Sequence, residues 1–194
     1  MKKFLIGVCL LLCSFAPAYA ATVNVVVDPP ADPLAISIGE TFTVTVSNTD
    51  FVQTGGATLD IIWSAAILDL VSISIAPGGF WQLDPGTPSA AQQTAGVVDG
   101  FSIFGDLFAP ENDPVGNFDS FVLEFIAQAT GSSTITIDEN IPAGGWIASS
   151  DFTQIPGVIY NQGSVTVAAV PVPASVWLFG SALGVLGWIR RRAA

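Results

Sequence analysis

The chain has 194 residues, a formal net charge of −11 and an apolar fraction of 51%. All five basic residues (Lys2, Lys3, Arg190, Arg191 and Arg192) lie at the two ends, histidine is absent, and all sixteen acids fall between residues 21 and 169. So one-signed a segment repels phosphate backbones, which excludes nucleic acid as a partner. Without His, Cys or Lys it also lacks the usual nucleophile activators and proton shuttles.

In chain order, residues 1–20 read as a cleavable signal peptide. Lys2 and Lys3 form the positive region, residues 4–15 the apolar core, and Ala18-Tyr19-Ala20 a small-x-small site with cleavage between Ala20 and Ala21. That apolar core is too short to cross a bilayer, which needs about 20 residues. Cys9 and Cys13 both lie inside it, so the chain from Ala21 onward has neither disulfide nor thiol. Its stability must come from buried apolar surface, and residues 21–169 are enough for a single core.

From here the apolar period is two. Residues 41–47 alternate Phe42, Val44 and Val46 with hydroxyls, as a strand with one wet face does. Leu59, Ile61 and Trp63 point inward from the next run. Over residues 67–75 the parity slips, with Leu68 and Leu70 on one face and Val71, Ile73 and Ile75 on the other, which predicts a bulge or a strand changing sheets. Residues 82–95, rich in Pro, Ser, Ala and Gln, read as a long loop. Phe101 and Phe104 read as core. Residues 121–126 are apolar on both faces except Glu124, as in a central strand, and clean alternation returns over 133–138 and 164–168.

Turn signals separate these runs: Pro29-Pro30, Gly55-Gly56, Pro77-Gly78-Gly79, Pro85-Gly86, Gly144-Gly145 and Pro156-Gly157. Seven to nine short strands so spaced predict an all-β fold, a sandwich of two antiparallel sheets with Greek-key or jelly-roll connections.

Residues 170–194 form a second targeting segment. An uncharged apolar run, 173–189, precedes Arg190, Arg191 and Arg192. As a transmembrane-type helix it would be about 25 Å long, a little short of the roughly 30 Å hydrocarbon core. The arginines place its C-terminal end in the cytoplasm and the domain on the periplasmic side of the inner membrane. Trp177 and Trp188 sit near the two ends of the run, where indole rings favour the interfaces.

For chemistry, no catalytic residues are assigned and the chain is read as a non-enzyme. Two carboxylates suffice for glycoside hydrolysis, and Asp60, Asp99, Asp106, Glu124 and Asp151 are available, but a domain with sixteen carboxylates reads them first as solvated turn and strand-face acids. Calcium is the cofactor that oxygen-only ligands would suit; the candidates are Glu111 and Asp113, and Asp138 and Glu139. Neither pair has the spacing of an EF-hand loop, and Asx turns are the alternative reading. Trp81 and Trp146 each follow a Gly-Gly pair, at loop-strand junctions where an exposed indole could stack on a sugar ring.

Two resemblances follow from these residues. The tail Val170-Pro171-Val172-Pro173-Ala174, then the apolar run, then the three arginines, resembles the PEP-CTERM sorting signal of exopolysaccharide-producing Gram-negative bacteria. Val172 stands where the name-giving motif has glutamate. This resemblance implies an exosortase-type processing enzyme as partner and delivery to the cell surface or extracellular matrix. The middle of the chain resembles the cohesin domain, a jelly-roll β-sandwich related to carbohydrate-binding modules. The matching residues are Gly39-Glu40-Thr41-Phe42-Thr43-Val44, Leu59-Asp60-Ile61, the run 67–72, Phe121-Val122-Leu123-Glu124-Phe125 with residues 131–137, and residues 163–167. This implies a non-catalytic binding or adhesion module with a protein partner; the alternative is a module recognising an extracellular polysaccharide.

Overall fold

The computed structural model describes residues 20–28, 36–77, 82–84, 90–105, 110–140 and 144–169, with positions 178, 179, 181, 183 and 191 from the C-terminal segment. The strands are β1 (Thr22–Asp28), β2 (Ile36–Ser37), β3 (Thr41–Phe51), β4 (Thr54–Ile62), β5 (Leu68–Ile75), β6 (Gln82–Asp84), β7 (Val97–Phe104), β8 (Gly116–Ala127), β9 (Gly131–Glu139), β10 (Gly145–Ala148), β11 (Ile159–Asn161) and β12 (Gly163–Ala168). A short helix α1 (Ala90–Ala95) and a one-turn 3-10 helix (Pro110–Asn112) complete the elements.

The strands form two sheets. One runs β11-β1-β3-β8-β5; the other runs β2-β12-β9-β4-β7-β6, with β10 also paired to β4. The all-β sandwich is as the alternation predicts, with three differences. The described strands number twelve because β2, β6, β10 and β11, of two to four residues each, carry too little sequence for a period to register. The sheets are not purely antiparallel: β1 pairs with β11, and β12 with β2, in parallel. Finally, the expected loop over residues 82–95 holds β6 and α1, the helix being closed by Gly96 at φ +70 with its N–H donating to Gln92 O at 2.9 Å.

The sheets meet through an aromatic spine that runs the length of the sandwich. Phe125 of β8 stacks on Phe42 of β3 at 5.7 Å and meets Trp63 edge-on at 5.9 Å. Midway, Phe101 of β7 packs edge-on against Phe121 of β8 at 4.9 Å. At the far end Phe51 of β3 meets Trp146 of β10 edge-on at 4.9 Å, with Phe118 of β8 beside Phe51 at 5.8 Å. Leu59, Ile61, Leu68, Leu70, Ile103, Leu123, Ile135 and Ile137 fill the space between and are fully buried.

The parity slip in β5 is a bulge between Leu70 and Ser72. It leaves Val71 exposed and returns Ile73 to the core face with Leu68 and Leu70, so the strand stays in one sheet. Strand β8 is central, between β3 and β5, but only one of its faces is fully buried; Val122, Glu124 and Ile126 are half-exposed outside. Phe104 is corrected from core to surface: Phe101 and Ile103 both face inward, so the next residue along the strand faces out, 40% exposed.

Ala21 is the first buried residue, and its carbonyl accepts the Ile159 N–H at 2.8 Å, while Ala20 beside it is exposed. At the other end Val167 pairs with Gly131 and Ala168 with Ser37. Leu178, Phe179, Ser181, Leu183 and Arg191 are helical and exposed, and among the described residues no helix is long and apolar enough to cross a membrane. Most of the expected helix over 173–189, the motif Val170, Pro171, Val172, Pro173 and Ala174, and Arg190 and Arg192 lie outside the described residues.

Phe125 touches aromatics of both layers, so truncating it removes the aromatic join at this end of the spine. Phe125→Ala should cost about 3–5 kcal/mol of unfolding free energy, read as a lower urea midpoint with an unchanged slope.

Candidate binding surfaces

Trp146 sits on β10 opposite Ala57, itself a core-facing residue of β4, and is fully buried. Its ring lies 4.9 Å from Phe51 and 6.5 Å from Phe118, edge-on to both. The expectation of an exposed, sugar-stacking Trp146 is therefore overturned. Gly144 and Gly145, at φ +109 and +56, carry the chain from β9 onto β10 along the same flank of β4, and that path turns the indole into the sandwich. Trp81 lies outside the described residues.

The four calcium candidates are not brought together. Glu111 is exposed in the 3-10 turn. Asp113, two residues on, is buried and accepts the Ser149 hydroxyl at 2.6 Å. Gly105 completes that pocket, since a Cβ there would collide with Asp113 Oδ1. Asp138 and Glu139 are successive strand residues and project to opposite sides of the sheet. Glu139 accepts from Gln154 Nε2 at 3.0 Å and from the Tyr160 hydroxyl at 3.2 Å. Among the described residues no group of three or more His, Cys, Asp or Glu side chains is arranged to hold a metal.

Of the other carboxylates, Asp60 and Asp99 are joined through Asn140. Its Nδ2 donates to Asp60 Oδ1 and to Asp99 Oδ1, both at 2.7 Å, and the Gly100 N–H donates to Asp60 Oδ1 at 2.9 Å. Asn140 is buried, while Asp60 and Asp99 stand on the outer face of the sheet. Partners 80 and 41 residues from Asn140 leave no local signal that the three form a unit. Glu124 accepts the Ser72 hydroxyl at 2.9 Å. Asp151 is held below the usual carboxylate value by the Thr153 hydroxyl and N–H. Asp106 lies outside the described residues.

The outer faces carry hydroxyls in rows. Thr41, Thr43, Thr45 and Ser47 line β3, while Ser132, Thr134 and Thr136 on β9 adjoin Ser164 and Thr166 on β12. At the sandwich end where β12 finishes, a polar hollow of about 200 Å³ is lined by Ala65, Asp69, Gln93, Thr94 and Gln128. The opposite end is apolar: Val52, Val115 and Phe152 are 54%, 66% and 59% exposed. The alternating pattern missed this group because all three lie in connecting segments.

No family model matches the chain, and no curated protein is similar to it. Solved structures are similar in fold. The seventh ScaB type I cohesin from Pseudobacteroides cellulosolvens is 17% identical, with a TM-score of 0.55 over 78% of this chain and 95% of its own. The second type II cohesin module of the cellulosomal adaptor ScaA scaffoldin from Acetivibrio cellulolyticus is 16% identical, with a TM-score of 0.55 over 79% and 99%. The third cohesin ScaC of the same organism, solved in complex with the ScaB dockerin, is 14% identical, with a TM-score of 0.54 over 77% and 99%. The fold of residues 21–169 is thus that of a cohesin-like β-sandwich.

Tyr160 is the only tyrosine in residues 21–194, the other being Tyr19. Burial raises its phenol far above the ordinary value of 10, and the Glu139 and Asp138 carboxylates add to the shift. A group protonated more tightly in the folded state contributes stability below its unfolded pKa and loses it as pH rises. Thermal stability should therefore fall from about pH 10 upward, and in a Tyr19→Phe chain the phenolate absorbance should appear only as the domain unfolds. Tyr160→Phe should flatten that decline; an absorbance rise near pH 10 in folded protein would contradict the burial.

Proposed function

We propose that the chain is an exported, non-catalytic binding or adhesion module that works at the cell surface or in the extracellular matrix and engages a protein partner. The observation that carries this reading is the cohesin-like sandwich, which occupies the whole interval between the two apolar end segments. A cohesin similar in fold was solved with a dockerin bound, which supports a protein as the partner class. The leader over residues 1–20 would deliver the domain across the inner membrane, and residues 170–194 would be read by an exosortase-type enzyme near Pro171 and Pro173. The polysaccharide alternative is weakened by the burial of Trp146, which leaves Trp81 as the one remaining aromatic of that pair.

Cells with and without an exosortase, carrying a tagged copy, test the sorting step. With the enzyme, the mature protein should lack the C-terminal arginines by mass and leave the inner membrane; an unchanged mass and location in both strains would overturn it. Surface retention tests the partner class. It should be lost after protease treatment of the receiving cells and survive periodate oxidation of their glycans; the reverse pattern overturns the protein-partner reading.

A further inference from the structure

We infer that the loop end of the sandwich built from Val52, Val115 and Phe152 is an interaction surface for a protein segment that presents an apolar side chain flanked by lysine or arginine. The inference rests on the protein-partner reading above and gives it a location and a chemistry.

Three connections converge at this end. The link from β3 to β4 carries Val52, and the Thr54 N–H that follows it donates to Pro114 O at 3.0 Å, next to Val115. On the other side the Ser149 N–H donates to Gln53 O at 3.0 Å, and the Phe152 N–H closes the same turn onto Ala148 O at 3.0 Å. The three exposed side chains thus stand on loops tied by backbone bonds, which fixes their spacing before any partner arrives.

The backbone at this end is strained. Among the described residues only Asp50 and Phe152 combine a side chain with a left-handed backbone, at φ +60 and +57, and both are here. Left-handed geometry is unfavourable for a residue with a Cβ and persists where the surroundings impose it. At Phe152 it holds a large apolar ring mostly in solvent, so folding gains much less from the ring than from a buried one. The chain leaves the sandwich at the opposite end, where Ala168 pairs with Ser37 and Val167 with Gly131. Attachment through residues 170–194 therefore leaves this surface unobstructed.

Charge decides the occupant. Asp50, Glu111 and Asp151 are exposed on these same segments, and residues 21–169 contain no cation to offset them. A second copy of the domain would bring the same acids face to face, and an anionic lipid surface would be repelled. A cationic segment with an apolar centre matches both the patch and its rim.

The test uses the full chain in neutral detergent and three labelled probes: a lysine-rich peptide with a central leucine pair, its counterpart with glutamate for lysine, and polylysine. Phe152→Gly removes the ring and relieves the backbone, so its melting temperature should equal or exceed that of the native chain. The lysine-leucine peptide should bind the native chain, weaken with salt, and lose about tenfold or more in affinity to Phe152→Gly and to Val115→Ser. The glutamate peptide should not bind, and polylysine should bind more weakly without sensing either substitution. Equal affinity for the native chain and the variants, or no binding at all, overturns the assignment of this surface while protease-sensitive cell retention still supports a protein partner elsewhere. Periodate-sensitive retention removes both.

Discussion

Every carboxylate in the sandwich must be satisfied by neutral donors, because residues 21–169 contain no lysine, arginine or histidine. The structure meets that constraint with amides and hydroxyls brought from a distance. Asn140 serves Asp60 and Asp99, Ser149 serves buried Asp113, Gln154 and Tyr160 serve Glu139, and Ser72 serves Glu124. Hydrogen bonds of this kind offset desolvation but not mutual repulsion, so the net electrostatic term opposes compactness and is relieved by salt. Cohesion then falls to the apolar layer, which explains why the interior is joined by aromatic contacts at three levels along its length.

The sequence made the long strands legible because a half-buried sheet imprints a period of two. The alternation of Phe42, Val44 and Val46, of Leu59 and Ile61, and of Ile135 and Ile137 is the alternation of the buried set. The bulge in β5 was legible for the same reason, as a break in that parity. What escaped was set by long-range geometry. Nothing near Trp146 in the chain says that two left-handed glycines will turn it inward, and nothing near Asn140 names its two carboxylate partners. Phe104 was misassigned by hydrophobicity alone, although its distance of three residues from Phe101 already placed the two on opposite faces of a regular strand.

Cohesins at 14–17% identity share this fold, and the constraint they share with the chain is the inner alternation of a two-layer sandwich. The outer faces and loop ends are free of that constraint. The exterior is therefore this chain's own: hydroxylated on the sheet faces, polar at the end with the small hollow, and apolar with an acidic rim at the other. A single fold thus offers surfaces of three different chemistries, and the fold alone does not select among them.

Strand length at the margins has a further consequence for encounters between copies of the domain. Of the four strands that end the two main sheet orders, β2, β6 and β11 have two or three residues each. So short an edge offers too few free backbone groups to template another chain. The fourth margin is β5, eight residues long, and there the bulge at Val71 interrupts the ladder while Asp69 adds a charge beside it. Short or interrupted margins of this kind disfavour edge-to-edge pairing between copies of the domain.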